Sequence, residues 1–583
     1  MKKLKRVYQQ HKDVITKYIF PILLFLYPFM TVNQGVDVSD STYSFSNFLY
    51  FENMEGMWVV STYVSNVVGW LLTKLPFGTT LLGLKFYATF LISGTVLLVY
   101  FTCKKWMPAW IVFLGEMIAV GFCWIPAGIL YNYLSYFFFT LGAILLYRGL
   151  VEEKDKLLVW AGVTLGFNVF VRIPNVTEMA LIVGLWYYLA CKQQKIDIIV
   201  QKTATCLVGY IIGVMVPLVA ILCRFGIRGI VDMIQGLTGI QSSDGTYSSW
   251  SMILTVFHAY QRTFKWMFLI LLGIGMGTAM FFCFKGKMEK ITKLAYLAGM
   301  VVLLRFLWGR GMFSFRYYED YTSMYEWGMI GLYLVWIAGI YMLASARNSL
   351  EEKLWAVLVL IITAVTPLGS NNYTFQNLNN LFLVAPFALY TFVKIFRRKY
   401  RDGRKKNKLE NLHFSWKAML IMIGIMIFVQ SAGFHSQFVF RDGMDGTKRD
   451  YIFTNPKSLQ GMMTNAENGK TLGEVIDFIE KKECQDRELL LYGDCPGLSF
   501  ILDMPVAIGT TWPDLGSYPY ETFVADIENI EEAPVVILRE VSMDEQSERK
   551  KQYLTNFLNS NEYINVFNNG TYGVYITEKT NLY

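Results

Sequence analysis

The sequence predicts a polytopic α-helical membrane protein that carries a separate soluble α/β domain at its C-terminal end. Three observations predict it. Hydrophobic residues make up 54% of the 583 residues and charged ones only 17%, with a mean hydropathy of +0.35, beyond what soluble globular chains show. Apolar runs of about the 20 residues needed to cross a bilayer recur along most of the chain. After residue 434 those runs stop, which divides the chain into a transmembrane part, 1–434, and a soluble part, 435–583.

The formal charge of +8 does not point to nucleic acid, because Lys and Arg lie in short clusters between apolar runs, as membrane topology requires. The N-terminus, Met1 to Lys17, is basic, but the run after it has no small-residue cleavage site. It reads as a retained span and not a removed signal peptide. About thirteen spans follow in all, near 18–33, 80–102, 108–124, 133–149, 157–171, 176–191, 203–224, 265–284, 293–308, 326–345, 354–368, 378–396 and 415–433. If they alternate, the clusters Lys2 to Lys17, Lys104-Lys105, Arg148 to Lys156, Lys192 to Lys202, Lys285 to Lys293, Arg347 to Lys353 and Lys394 to Lys408 share one side. That side is the cytoplasm by the positive-inside rule, so the N-terminus is expected inside and the C-terminal domain outside. No retention signal is present, which favours a bacterial cell membrane.

The first outer loop, 33–79, carries two carboxylates three residues apart, Asp37 and Asp40, directly after the first span. Carboxylates at that depth need water, a cation or a partner, unless they cap the following helix. Met57 to Leu75 is long enough to span, yet counting it would put most later basic clusters outside. Its Ser61, Thr62, Ser65, Asn66, Gly69 and Thr73 recur every three to four residues, the polar stripe of a helix lying in the interface.

Further along, Arg172-Ile173-Pro174-Asn175 breaks a helix between two spans, making Arg172 either an anion ligand or a headgroup anchor. The loop from Arg224 to Lys265 reads as two amphipathic helices around a turn at Asp244-Gly245, with His258 as interfacial packing. Trp308 to Tyr321 combines Arg310 and Arg316 with Glu319, Asp320 and many aromatics, an interfacial belt able to bind an anion. Pro367 to Asn380 is dense in amides, Asn371 and Asn372 among them, which suit hydroxyl-rich ligands as well as turns and caps.

In 435–583 the pattern gives a helix at 471–482, strands at 488–493 and 534–539, a turn at Cys495-Pro496-Gly497 and a hairpin around Asn568-Asn569-Gly570. Asp494, Asp503 and Asp514 form no recognisable spacing, which points to a scaffold or acceptor-docking role. Six of the eight cysteines fall in or beside apolar runs, and no metal-ligand spacing occurs. Cys484 and Cys495 are the pair that an oxidising space would allow to bond.

Asp37, Asp40, Arg172, Arg310, Arg316 and the asparagines after Gly369 are thereby expected on one face. A carboxylate among Tyr, Ser and Asn serves as general base toward a hydroxyl, and arginines match a departing phosphate by paired hydrogen bonds. No Gly-rich nucleotide cradle is present. Chemistry on the outer face then calls for a lipid-borne activated group, such as a lipid-phosphate-linked sugar.

At this point the layout resembles a known family. The first span ending in Val36-Asp37-Val38-Ser39-Asp40-Ser41-Thr42-Tyr43, the helix behind it, the span number and the outer C-terminal α/β domain are similar to the GT-C membrane glycosyltransferases, such as protein O-mannosyltransferases and bacterial aminoarabinose transferases. The resemblance implies an inverting glycosyltransferase that moves a hexose or pentose from a polyprenyl-phosphate donor to a glycan, lipid or protein hydroxyl. It implies Asp37 as the catalytic carboxylate, with Asp40 as a second acid or a ligand. Arg172, Arg310 and Arg316 would meet the donor phosphate, and Tyr43, Asn175, Asn371 and Asn372 the sugar or acceptor. Some relatives use a divalent metal, so Mg²⁺ or Mn²⁺ enters as an option. Where relatives carry adjacent Asp-Glu, this chain separates its acids by Val38 and Ser39. A lipid-linked glycan transporter and a polysaccharide polymerase or ligase are the competing readings.

Overall fold

A computed structural model describes residues 10–52, 57–125, 128–243, 249–284, 288–317, 321–370, 372–399, 406–442, 448–516, 518–539, 545–580 and 582. Among these, eight helices are long and apolar enough to cross a membrane: Lys12–Thr31, Leu81–Cys103, Leu130–Val151, Ile196–Gln235, Trp250–Cys283, Met288–Gly309, Thr322–Ala344 and His413–Gln437. The other expected spans fall on shorter helices. Ala109–Phe122 and Asp155–Asn168 have 14 residues each, and Leu350–Val365 and Val384–Lys399 have 16. The break read at Pro174 is real: a 3₁₀ segment, Ile173–Leu181, precedes the helix Ile182–Cys191, with the proline in its first turn.

Small residues bring two of these helices into backbone contact. Gly162 and Gly166 on Asp155–Asn168 face Gly209 and Gly213 on Ile196–Ser243. A Cβ on Gly162 would stand 2.0 Å from the Cys206 carbonyl, and one on Gly209 would stand 2.1 Å from the Val159 carbonyl. Matched glycines four apart are the close-packing solution for helices that share no hydrophobic driving force in lipid. The two helices read between Arg224 and Lys265 form, each continuous with the neighbouring span: Ile196–Ser243 turns at Gly226 (φ 63°), and Ser249–Cys283 is the second. The expected turn at Asp244-Gly245 lies outside the described residues, as do Glu319, Asp320 and Asn371.

The helix predicted in the interface forms as Met57–Ser61 and Tyr63–Thr73. Its polar stripe faces protein. Ser65 and Asn66 are buried, Asn66 Nδ2 donates to the Val59 carbonyl (3.1 Å), and Gly69 lies against the Phe48 ring. Leu71 is on the exposed side.

The last long helix, Lys406–Gln437, runs past residue 434 into the soluble part. There β1 (Tyr451–Ile452) pairs antiparallel with β2 (Met463–Thr464). A four-stranded sheet follows, built from β3 (Leu489–Tyr492), β4 (Val535–Arg539), β5 (Ile564–Asn568) and β6 (Tyr572–Ile576) in the order β3-β4-β6-β5. Strands β3 and β4 are parallel, with the helix Tyr520–Glu528 lying between them in the chain; the other pairs are antiparallel. Alternation along β3 splits the core: Leu489 and Leu491 join the large cluster shared with the membrane helices, while Leu490 and Tyr492 pack with Phe523 and Leu554 on the far face. One continuous core therefore runs from the membrane helices into the sheet and presses the C-terminal part onto the first loop. Cys484 and Cys495 are both free.

Candidate functional site

The acidic stretch is held from both ends. Gly35 N donates to the Met463 carbonyl (2.7 Å) and Met463 N to the Asn33 carbonyl (2.8 Å), a strand-like splice onto β2. Buried Asp442 accepts from Val36 N and Thr464 Oγ1 (2.6 Å each) and from Arg449 Nε (3.1 Å). Buried Lys85 donates Nζ to the carbonyls of Gln34 (2.7 Å) and Gly35 (3.2 Å). On the other side, the turn Cys495-Pro496-Gly497 docks on the helix Asp40–Leu49. Gly497 N donates to the Val38 carbonyl (2.8 Å), Phe500 N donates to Ser46 Oγ (3.2 Å), and a Cβ on Gly497 would meet Thr42 Oγ1 at 1.8 Å.

Within that clamp the two carboxylates do different things. Asp37 is buried, and its oxygens accept from Ser39 N (2.9 Å), Ser39 Oγ (2.6 Å) and Ser41 N (2.8 Å), so it satisfies the free amides at the start of the helix. Asp40 instead leaves about a third of its side chain exposed (33%). Arg441, just past the last long helix, sits between Asp40 (Nε to Oδ2, 3.7 Å) and Asp494 (Nη1 to Oδ1, 3.5 Å), and donates to Ser39 Oγ (3.2 Å). Burial raises the Asp40 carboxyl to about 6, with the Arg441 guanidinium opposing and the charges of Asp37 and Asp494 adding to the rise. The acid cluster that formed no recognisable spacing belongs to this junction. Asp494 N donates to Asp514 Oδ2 (2.8 Å), and Tyr50 Oη donates to Asp503 Oδ1 (3.2 Å).

Asp40 opens onto a polar cavity of about 100 Å³ whose walls include Trp124, Tyr131, Asn132, Tyr136, Asn372, Gln376 and Asn379. Its walls are cross-tied: Tyr136 Oη donates to Gln376 Oε1 (2.6 Å), and Trp124 N to Asn379 Oδ1 (2.9 Å). Beside it lies an apolar groove of about 530 Å³ between the helices Ala109–Phe122, Thr322–Ala344, Val384–Lys399 and Lys406–Gln437. Residues two apart in the chain line the two spaces: Phe122 lines the groove and Trp124 the cavity, and likewise Leu381 and Asn379.

The other predicted residues are spread around this centre. Tyr43 packs its ring 5.4 Å from Trp512 of the C-terminal part. Asn372 lines the cavity. Asn175 is buried, donating to Ser135 Oγ (2.7 Å) and the Asn168 carbonyl (3.0 Å). Arg172 donates to the Gly369 carbonyl (2.9 Å) and is not among the residues lining the cavity. Arg310 and Arg316 lie exposed on the segment after Met288–Gly309, which is anchored where Tyr317 N meets Gln437 Oε1 (3.2 Å). Neither is among the residues lining the cavity.

Sequence reasoning missed Arg441, Lys85, Trp124 and Asn132, and gave Asp494 only a scaffold or acceptor-docking role. For Arg441 a signal existed, a cation at the exit of the last span, opposite in charge to the loop acids. Among the described residues no group of three or more His, Cys, Asp or Glu side chains gathers for a metal. The carboxylates do not suit Mg²⁺ or Mn²⁺ as a donor set: Asp37 faces amides, and a guanidinium stands between Asp40 and Asp494.

No family model and no curated protein matches the chain. Among solved structures, the ArnT of Cupriavidus metallidurans, crystallised with undecaprenyl phosphate, superposes with a TM-score of 0.52 at 8% identity, covering 96% of this chain and 97% of that one. An oligosaccharyltransferase of Archaeoglobus fulgidus, in complex with Zn and sulfate, aligns with a TM-score of 0.43 at 12% identity over 89% of this chain and 68% of that one. This chain shares the fold of that ArnT along nearly its whole length, as the sequence resemblance implied.

Proposed function

We propose that this chain is a GT-C-type membrane glycosyltransferase that moves a sugar from a polyprenyl-phosphate donor to an acceptor hydroxyl at the outer face of the membrane. The observation that carries the reading is a polar cavity lined by Asp40, together with an apolar groove able to take a prenyl chain whose lining residues neighbour those of the cavity in the chain. A lipid-linked sugar is amphipathic in the same way.

In this reading the catalytic base is Asp40, and Asp37 holds the turn that presents it. Asp40 takes the proton of the acceptor hydroxyl as its oxygen bonds to the anomeric carbon. The bond from that carbon to the phosphate oxygen breaks, and its electron pair leaves with the polyprenyl phosphate. Attack opposite the leaving group inverts the anomeric centre. Arg441 keeps Asp40 ionisable in its buried setting and is a positioning residue. Arg172 is assigned to the departing phosphate, and the exposed Arg310 and Arg316 to the donor headgroup. No metal-dependent step is included. In this reading the N-terminus is cytoplasmic and the site lies outside, in a bacterial cell membrane, a reading supported by the basic clusters between the spans. The sugar transferred is a hexose or a pentose, and the acceptor hydroxyl belongs to a glycan, a lipid or a protein.

The test is transfer from polyprenyl-phosphate sugars by membranes containing the protein, followed as release of polyprenyl phosphate. Wild type releases it from at least one donor and Asp40→Asn does not. Equal release by both would remove Asp40 from the chemistry.

A further inference from the structure

The turn after β3 brings Asp494 to the first loop and fixes it by its backbone. Its N–H donates to Asp514 Oδ2 (2.8 Å), and its carbonyl accepts from Arg539 Nη1 of β4 (2.9 Å). Gly493 before it has a left-handed backbone (φ 100°), and a Cβ there would stand 2.1 Å from the Arg539 carbonyl, so the turn lies flush on β4. Cys495-Pro496-Gly497 after it is the turn that docks beside Asp40, through Gly497 N and the Val38 carbonyl (2.8 Å). None of these contacts uses the Asp494 carboxylate. Its Oδ1 stands 3.5 Å from Arg441 Nη1, and its Oδ2 4.0 Å from Arg539 Nη1.

Arg441 is thereby shared between two acids. Its Nε is 3.7 Å from Asp40 Oδ2, while Nη1 donates to Ser39 Oγ (3.2 Å) and faces Asp494. A guanidinium committed to one carboxylate closes to about 2.7–2.9 Å, often with two parallel bonds. Neither acid has such a pair here, so each competes for a charge that the other holds back. The other charged and titratable groups around Asp40 are engaged elsewhere. Asp37 is tied to Ser39 and Ser41, Lys85 to the carbonyls of Gln34 and Gly35, and Asp514 to Asp494 N, while Tyr131 and Tyr136 line the cavity wall. Among the described residues, Asp40 and Asp494 are the acids within 4.0 Å of Arg441.

We infer that Asp494 is a positioning residue of the transfer site: by holding the far side of the Arg441 guanidinium, it sets how much of that charge reaches Asp40, and so makes the docked C-terminal sheet part of the base's setting. The role rests on the glycosyltransferase reading for its link to catalysis, but its effect on Asp40 is measurable without transfer. Replacing Asp494 by Asn removes a negative charge and frees Arg441 for Asp40. Both changes favour the ionised Asp40 carboxylate, opposite in sign to the loss of Arg441. Asn keeps the backbone bonds and tolerates the left-handed conformation at this position (φ 56°).

The test is the pH profile of kcat/KM for polyprenyl phosphate release, run beside thermal melts of the full chain in detergent. Asp494→Asn and Asp494→Gly, a second charge-removing variant suited to the same backbone, are expected to move the acidic limb down by roughly half a pH unit or more, and Asp494→Glu to leave it near the wild-type position. The melting gap between Asp40→Asn and its parent at pH 7.5 should narrow in the Asp494→Asn background, because an Asp40 that ionises more readily leaves less stability for the amide to recover. A limb that stays in place or moves up, or a gap that does not narrow, would overturn the role whatever the overall loss of activity. If wild type releases nothing from any donor while the gap narrows, the coupling of Asp494 to Asp40 stands and the glycosyltransferase reading fails.

Discussion

Arg441 reaches Asp40 across the junction between the C-terminal part and the first loop, with Nε 3.7 Å from the carboxylate. Its other nitrogen, 3.5 Å from Asp494, makes the guanidinium a bridge between two acids that lie 454 positions apart in the chain. The charge of Arg441 lowers the Asp40 carboxyl against burial, which lifts it to about 6. A base must be ionised, so kcat/KM should fall as pH drops through about 6.

Removing Arg441 takes away the lowering charge. Arg441→Gln is expected to move the acidic limb of the pH profile to higher pH and to recover part of the lost activity on raising the pH. A limb that stays in place would mean that the guanidinium does not act on the titrating group.

The same carboxylate links function to stability. A folded-state value near 6 lies above the ordinary 3.8, so the native state favours the protonated form. Native stability should therefore decrease as pH rises from about 4 through about 6. Asp40→Asn should melt higher than wild type at pH 7.5, and the difference should vanish near pH 4. Thermal melts in detergent at both values check this, and a lower melting point for the variant at neutral pH would contradict it.

Gly497→Ala tests the docking of the C-terminal turn. The added methyl would fall on Thr42 Oγ1, with the Val38 carbonyl also close at 2.8 Å. A loss of about 1–3 kcal/mol is expected from such overpacking, together with reduced transfer, because the clash lies on the helix that Asp40 begins. Thr42→Gly in the same chain should restore part of the melting temperature.

Along the glycine seam, Gly162→Leu should separate Asp155–Asn168 from Ile196–Ser243, since only backbone fits at 2.0 Å. The expected readout is a lower yield of monodisperse protein, with the same change at exposed Gly94, where an added Cβ meets nothing within 4 Å, tolerated.

Much of the architecture was legible because hydropathy and charge clusters are one-dimensional signals. Span positions, the break at Pro174 and the hairpin at Asn568-Asn569-Gly570 all came from local chemistry. The candidate site was less legible. Asp37 and Asp40 look alike in sequence, and what separates them is which amides the backbone turns toward each: three donors converge on Asp37 and none of those on Asp40. The polar stripe of Tyr63–Thr73 could face water or protein on periodicity alone, and packing against Phe48 and Val171 decided it. Asp494 and Arg441 gained their meaning only through the long-range docking of a sheet onto a loop, which no local pattern encodes.

The most direct measurement compares single-turnover sugar transfer by Asp40→Asn and Asp37→Asn at pH 7.5. The account predicts a loss of about 10²–10⁴-fold or more for Asp40→Asn without a fall in melting temperature. For Asp37→Asn it predicts transfer within about tenfold of wild type and a stability loss of roughly 0.5–2 kcal/mol from the weakened helix start. The reverse pattern, with Asp37→Asn inactive at unchanged stability and Asp40→Asn active, would contradict it.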